Sequence, residues 1–458
     1  MEELRMMDLK ISSFKAYDVR GRIPDELNED IVYRIANAMA QFLEAKKIII
    51  GRDIRASSKA LSNAAAQGLI DAGVDVIDIG LCGTEGVYFA TGDLDACGGI
   101  MVTASHNPAD YNGLKLVREN SKPIGAETGL EDIRFLAEQD DRYLSSCKGN
   151  IATKDISKAY IQCLLSFIDC DLLRPLKIVV NPGNGGAGLV VEQLGEHLPI
   201  EFIKVHFEAD SSFPNGVPNP MIEEKRVSTA TAVIEHKADL GIAWDGDFDR
   251  CFFFDEKGEF VEGYYIVSLL AEYFLKKNKG DKVIYDPRLT WNTIDSVNNA
   301  GGIAIQSQSG HSFIKQSMRE NNAIYGGEMS AHHYFRDFFY CDSGMIPWLV
   351  FAEILSTSNE RLSSMLDQYR VDFPVSGEIN REVKDTVATI ENIRSIYNDS
   401  ALTVDYMDGV SMEFADWRFN VRASNTEPLL RLNVESRGDR ALMSSKTTEL
   451  LSIIEKYG

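Results

Sequence analysis

Three times along this chain, short β-branched apolar runs alternate with helical patterns in one order, and that recurrence narrows the possible folds most. The first pass reads as a strand over Lys47–Asp53, a helix over Ser57–Ala72, a strand over Val74–Ile79, a helix near Glu85–Ala90 and a strand over Gly98–Val102. A helical pattern, Glu29–Glu44, precedes it with Ile31, Ile35, Met39 and Leu43 on one stripe. The second pass runs through Lys177–Asn181, a glycine-rich turn and helix, Ile200–Val205, a helix over Ala230–Lys237, and Asp239–Trp244. The third runs through Lys282–Asp286, a helix, Gly302–Ile305, a helix near Ser312–Glu320, and Ala323–Glu328. Strands alternating with helices imply mostly parallel sheets, with chemistry beyond the strand ends. In each pass the third strand delivers a different polar loop, centred on Ser105, on Asp245 and on Glu328 in turn.

From about Phe373 the pattern changes. Gly377–Asn380, Ser411–Phe414, Trp417–Arg422 and Leu430–Glu435 alternate polar and apolar residues, as half-exposed antiparallel strands do. A helix over Arg440–Lys456 closes the chain. The 458 residues are too many for one ordinary domain. The expected fold is α/β, with three similar mixed-sheet modules and a smaller α+β C-terminal domain around one cleft. Boundaries are expected at residues 1–150, 151–256, 257–368 and 369–458.

Two loops carry the chemistry. Thr103-Ala104-Ser105-His106-Asn107-Pro108 follows a buried strand and is stopped by Asn-Pro, because proline lacks a donor and restricts its predecessor. Asp245-Gly246-Asp247-Phe248-Asp249-Arg250 offers three carboxylates at alternating positions, hard oxygens that suit Mg²⁺. In a straight strand the first and third would lie roughly 13 Å apart. Oxygens on one Mg²⁺ lie within about 4 Å, so the segment must curl, and Gly246 permits that. A calcium loop is excluded: Arg250 stands at the sixth position, where glycine is required. Gly183–Gly188 lacks the Gly-x-Gly-x-x-Gly order and a following ribose-binding acid, so it reads as a tight strand-to-helix turn rather than a dinucleotide site. Ser211–Pro220, with three prolines, is an irregular loop.

These loops, with Phe14–Gly21, Gly327-Glu328-Met329-Ser330-Ala331-His332 and Arg422-Ala423-Ser424-Asn425-Thr426-Glu427-Pro428, resemble the ordered motifs of the α-D-phosphohexomutases across almost the whole chain. Within that family their wording is nearest to the bacterial phosphomannomutases. The resemblance implies that Ser105 is carried as phosphoserine and passes its phosphoryl group to a hexose phosphate. The resulting hexose 1,6-bisphosphate, which also serves as activator, turns around and returns the other phosphate. Asp245, Asp247 and Asp249 would hold Mg²⁺ beside the Ser105 phosphate, with Arg250 at the same group. Lys115, His106 and His311 are the candidates for proton transfer, and the sequence does not choose among them. Glu328, Ser330 and His332 would meet the sugar hydroxyls, whereas His333 reads as structural. Arg422, Ser424, Asn425, Thr426 and the nearby Arg431 would meet the phosphate that is not reacting. Tyr17 and Arg20 are placed at the cleft by the resemblance alone. Phe248 departs from the small residue usual in the metal loop. The implied reaction interconverts mannose 6-phosphate and mannose 1-phosphate for GDP-mannose and polysaccharide synthesis; alternatives are glucose or glucosamine phosphates, and a metal-dependent sugar phosphatase.

A net charge of −22 disfavours nucleic acid and anionic membranes as partners. A phosphate site must then be built locally, and Arg20, Lys115, Arg250, Arg422 and Arg431 lie in or beside the motifs. The longest apolar run, Gly344–Leu355, is broken by Pro347 and Glu353 and is too short for a bilayer span. Met1–Arg5 has no secretion signal, and seven scattered cysteines read as reduced thiols of a cytoplasmic protein. No motif bears on the oligomeric state.

Overall fold

A computed structural model describes residues 10–139, 142–424 and 429–458. Its architecture is four-domain α/β, with mixed sheets in three domains and an antiparallel sheet in the fourth. In the first domain β1 (Val19–Arg22), β2 (Lys47–Arg52), β3 (Asp75–Leu81), β4 (Gly98–Val102), β5 (Tyr111–Arg118) and β6 (Ile151–Thr153) form one sheet in the order β1-β5-β4-β2-β3-β6. β4 runs parallel to β2, whereas β5 is antiparallel to β4 and brings Lys115 opposite Met101. That returning strand was absent from the sequence reading. Every residue of β4 is buried, the signature of a sheet covered on both faces. One cover is the helix Glu29–Phe42, whose N-terminus is closed by the Asn28 side chain accepting from Ile31 N and by Glu29 and Asp30 in the first turn. Its Val32, Ile35 and Met39 join Leu61 and Leu69 of the helix Ser58–Asp71 and Ile48 and Ile50 of β2 in one core.

β7 (Leu176–Asn181) lies between parallel β8 (Ile200–Lys204) and β9 (Leu240–Trp244). β10 (Cys251–Phe254) and β11 (Phe260–Val261) form a hairpin. β12 (Lys282–Tyr285) lies between parallel β13 (Ile303–Gln306) and β14 (Tyr325–Gly327), and β15 (His333–Phe335) turns back along β14. After the short β16 (Cys341–Asp342), the last sheet is wholly antiparallel. It comprises β17 (Ile379–Glu382), β18 (Thr403–Asp405), β19 (Val410–Glu413), β20 (Trp417–Ala423) and β21 (Leu429–Ser436), in the order β17-β21-β20-β19-β18.

The polar residues of β20 and β21 were expected to face water, and they do not. Arg418, Asn420, Asn433 and Glu435 are all buried. Their sheet face is covered by a polar network instead. Glu435 accepts from Arg418 (2.7 Å), from Thr290 N (2.7 Å) and from the Tyr264 hydroxyl (2.5 Å). Arg418 also donates to the carbonyls of Pro287 and Arg288. The opposite face carries Phe419, Val421, Leu430, Leu432 and Val434 into the apolar core with Leu450 and Ile454 of the closing helix.

The chain divides into two compact units, one reaching to Phe252 and including Cys341–Ser356, the other formed by Phe253–Tyr340 and Thr357–Gly458. Among the described residues no helix is long and apolar enough to cross a membrane.

Candidate active site

In the first unit, the serine loop is bent by its own backbone. Ser105 sits at φ 48°, its N–H donates to Thr103 Oγ1 (3.0 Å), and Asn107 N donates to Ala104 O (2.9 Å). A buried guanidinium fixes the loop from behind. Arg55 donates to the carbonyls of Ser105 (2.9 Å), Asn107 (2.6 Å), Pro108 (2.7 Å) and Tyr111 (3.0 Å). Asp53 lies 3.4 Å from Arg55 Nε and accepts from Ser58 Oγ. Phe213, from the irregular Ser211–Pro220 loop, packs its ring 5.5 Å from the same guanidinium. The local sequence signal for Arg55 was only a polar turn after a buried strand.

The three aspartates follow β9 and are almost fully buried. One carboxylate oxygen of each lies within 4.8 Å of the others, so the segment curls as expected. The residue that turns is Phe248, at φ 46°, rather than Gly246. Glycine at 246 answers a different need: a Cβ there would lie 2.4 Å from the Ser105 carbonyl oxygen. The glycine-rich turn is packing, not a nucleotide cradle. A Cβ on Gly185 would meet Gly246 O at 3.1 Å, and one on Gly186 would meet the Phe248 ring at 3.2 Å.

Ser105 Oγ donates to Asp245 Oδ2 (2.8 Å) and lies 3.1 Å from His106 Nδ1. Arg250 donates to Asp245 Oδ2 through Nε (2.9 Å) and Nη2 (2.7 Å), and to His106 Nδ1 (2.5 Å). Because a guanidinium only donates, Nδ1 is the bare nitrogen of that ring. Burial, then Arg250 and Arg20, hold the imidazole well below its ordinary pKa, so it is neutral. Lys115 Nζ donates to Asp247 Oδ2 (2.7 Å) and Asp249 Oδ2 (2.5 Å). Thr84, first residue of the helix Thr84–Asp93, donates its hydroxyl to Asp247 Oδ2 (2.5 Å). Burial alone would raise the Asp247 carboxyl, yet Lys115 and these hydrogen bonds outweigh it and hold it well below the usual range. Burial likewise opposes the Lys115 ammonium, and Asp247 and Asp249 outweigh it, so lysine stays charged. The Oδ1 atoms of Asp245 and Asp247 are buried with no hydrogen-bond partner among the described residues. Hard, anionic oxygens left over in this way fit a divalent cation such as Mg²⁺. Arg20 reaches the loop by donating to Asn107 Oδ1 (2.6 Å) while paired with Asp18; Tyr17 is half-buried nearby in sequence.

The second unit holds the other predicted residues. Glu328 accepts from Gly310 N (2.9 Å), immediately before His311, and from the Tyr334 hydroxyl (2.6 Å). Arg288 forms a two-point pair with Asp286, both contacts 2.9 Å, and donates to Ser330 Oγ (3.3 Å). Asp286 also accepts from Met329 N (2.8 Å), which fixes the loop carrying Ser330 and the half-buried His332. His333 is buried, with Nδ1 2.7 Å from the Tyr325 hydroxyl, and burial lowers its pKa to about 3. Arg422 and Arg431 stand opposite each other across β20 and β21, and Arg431 donates to Ser424 Oγ (3.3 Å). Asn425 and Thr426 lie outside the described residues.

Family models of phosphoglucomutase/phosphomannomutase match the chain four times: α/β/α domain I at residues 12–143, domain II at 158–258, domain III at 262–371 and the C-terminal domain at 378–449. A protein named phosphomannomutase from Escherichia coli is 54% identical over 454 residues, covering 97% of this chain and 100% of that one. The chain belongs to the phosphoglucomutase/phosphomannomutase family. The phosphohexose mutases of Xanthomonas campestris pv. campestris are also 54% identical, over 446 residues, 97% of this chain and 100% of theirs. A crystal structure of a phosphoglucomutase/phosphomannomutase family protein from Burkholderia thailandensis superposes with TM-score 0.88 at 30% identity, covering 98% of each chain. This phosphohexomutase is therefore an isomerase that moves a phosphoryl group within its substrate. Its structure gathers Ser105, His106, Lys115, Arg250, Arg20 and the three aspartates in one unit, and His311, Glu328, Ser330, His332, Arg422, Ser424 and Arg431 in the other. Sequence reading missed Arg55, Thr84, Asp286, Arg288 and Glu378. Arg55, Thr84 and Glu378 are revealed by contacts distant in sequence, whereas Asp286 and Arg288 pair with each other just beyond β12.

Proposed function

We propose that the protein interconverts mannose 6-phosphate and mannose 1-phosphate through phosphorylated Ser105 and a hexose 1,6-bisphosphate. The observation that carries this reading is the 2.8 Å contact of Ser105 Oγ with Asp245 inside a buried ring of carboxylates. A hydroxyl among three carboxylates has no reason to be there for stability alone. Mg²⁺ held by Asp245, Asp247 and Asp249 supplies positive charge that offsets charge developing on the phosphoryl group. The bond from Ser105 Oγ to phosphorus breaks as a sugar oxygen bonds to the same phosphorus, and the sugar hydroxyl releases its proton. Arg250, beside Ser105 and Asp245, steadies the phosphoryl oxygens. His106, 3.1 Å from Ser105 Oγ, Lys115, paired with Asp247 and Asp249, and His311, which begins the helix whose N-cap Gly310 donates to Glu328, are the candidates for proton transfer. Glu328, Ser330 and His332 meet the sugar hydroxyls, and Arg422, Ser424, Asn425, Thr426 and Arg431 hold the phosphate that is not reacting. Tyr17 lines the sugar's path. The likeness to proteins named phosphomannomutase supports mannose, and with it a supply to GDP-mannose and polysaccharide synthesis. The cysteines described are all free thiols, which supports a cytoplasmic setting.

Intact mass before and after incubation with a hexose 1,6-bisphosphate tests the reading, with a gain of one phosphoryl group on Ser105 expected and none in Ser105→Ala. Parallel steady-state assays on mannose 1-phosphate and glucose 1-phosphate decide the sugar. A clear preference for glucose overturns the mannose assignment. Stoichiometric release of inorganic phosphate makes the protein a phosphatase instead.

A further inference from the structure

Glu378 stands at the centre of an arginine cluster that the reaction scheme above does not use it to explain. It lies just before β17, following Gly377 at φ 69°. Its Oε2 is 3.3 Å from Arg422 Nη2 and 3.5 Å from Arg288 Nη1, and its Oε1 is 3.6 Å from Arg431 Nη1. The carboxylate is mostly buried, with side-chain exposure of 9%. Burial would raise its pKa, but Arg288, Arg422 and Arg431 outweigh burial and lower it, so it is an anion.

Two features separate this contact from an ordinary structural ion pair. First, the strand register sets Arg422 directly across from Arg431, and like charges so placed repel unless an anion lies between them. Second, none of the three contacts is short. Charge-assisted hydrogen bonds close to about 2.7–2.9 Å, as Arg288 does with Asp286 at 2.9 Å. Arg288 is therefore already anchored, and Glu378 is shared loosely among three cations without gripping any.

We propose that Glu378 sets the strength with which the Arg422 loop holds phosphate, rather than merely ordering that loop. This rests on the reading that Arg422 and its neighbours bind the phosphate that is not reacting. With ligand absent, the carboxylate keeps the opposed guanidiniums together. With a phosphate dianion present, it is a like charge beside the bound group and weakens the hold. A grip moderated in this way lets a bisphosphate leave the loop and turn end for end, where the same arginines without a carboxylate between them would hold it longer.

The test titrates inorganic phosphate against the full-length wild type, Glu378→Gln, Glu378→Asp and Arg422→Ala in the presence of Mg²⁺, and adds steady-state kinetics on the hexose 1-phosphate. Removing one charge within a few ångströms of a dianion is worth at least a factor of ten at an effective dielectric near 20. Glu378→Gln is expected to bind phosphate roughly tenfold or more tightly, with lower KM and lower kcat together, because turning slows. Glu378→Asp, which keeps the charge on a shorter arm, is expected to fall between it and the wild type, and serves if the glutamine variant folds poorly. Weaker phosphate binding in both Glu378 variants, with raised KM, overturns the inference and makes Glu378 an ordering residue. If Arg422→Ala binds phosphate as the wild type does, the phosphate assignment of the loop itself has failed, and the inference falls with it.

Discussion

The backbone of Gly246 lies against the backbone of Ser105 so closely that a single added carbon would sit 2.4 Å from the Ser105 carbonyl oxygen. That oxygen is also held by the buried Arg55, which donates to it at 2.9 Å. The metal loop and the serine loop are thus in register only while residue 246 has no side chain.

Gly246→Ala is accordingly expected to keep the fold and lose catalysis. Displacing reacting groups by about 1 Å costs on the order of a hundredfold, so kcat should fall at least that far while far-UV circular dichroism is unchanged. Near-normal kcat would show that the two loops need not touch.

Lys115 supplies the cation facing Asp247 and Asp249. Lys115→Met leaves those buried carboxylates uncompensated, a change worth about 3–5 kcal/mol in buried pairs. In EDTA the variant should melt well below the wild type, and added Mg²⁺ should raise its Tm by more than it raises the wild type's. Equal Mg²⁺ shifts in the two proteins would remove lysine from that role.

Phe248 fills the space over Gly83 and Gly186 from a left-handed backbone position. Phe248→Ala deletes a buried ring, for which about 3–5 kcal/mol is typical. The expected result is a Tm lower by several degrees with activity still abolished by EDTA, since the carboxylates remain. Unchanged thermal stability would mean the ring is dispensable.

Glu85 gives a pH dependence with a definite sign. Its carboxyl accepts from Gly344 N (2.6 Å) and pairs with the Tyr160 hydroxyl, and burial raises its pKa from 4.5 to about 8 despite those bonds. The folded state therefore holds this proton where the unfolded chain has lost it. The group's stabilisation is complete below its unfolded pKa and declines as pH rises from 4.5 to about 8. Glu85→Gln, neutral throughout, should flatten the fall of Tm across that window. An unaltered slope would place the dependence elsewhere.

What the sequence made legible was local. A strand followed by a loop of distinctive chemistry is written in consecutive residues, so the loops of Ser105 and of the three aspartates stand out in the sequence, and the structure brings them together. Arg55 does not stand out, since it acts on carbonyls about fifty positions away and nothing nearby marks it. The curl of the aspartate loop was expected, with Gly246 to permit it; the left-handed residue is Phe248, and glycine at 246 is required by close approach instead. In β20 and β21 the alternation of polar and apolar residues was real, but it does not say whether the polar face meets water or other polar groups. Here it meets Tyr264, Thr290 and the carbonyls beside Arg288.

That polar seam around Glu435 has a consequence for selectivity. It joins the domain carrying Glu328 to the domain carrying Arg422 through buried hydrogen bonds, so those two loops ride on one frame. On the proposed roles of Glu328 and Arg422, a ligand that touches both would be measured as by a caliper, from its hydroxyls at one jaw to its phosphate at the other. A shorter sugar phosphate, such as a pentose phosphate, is then expected to reach one jaw and miss the other, whatever the configuration of its individual hydroxyls.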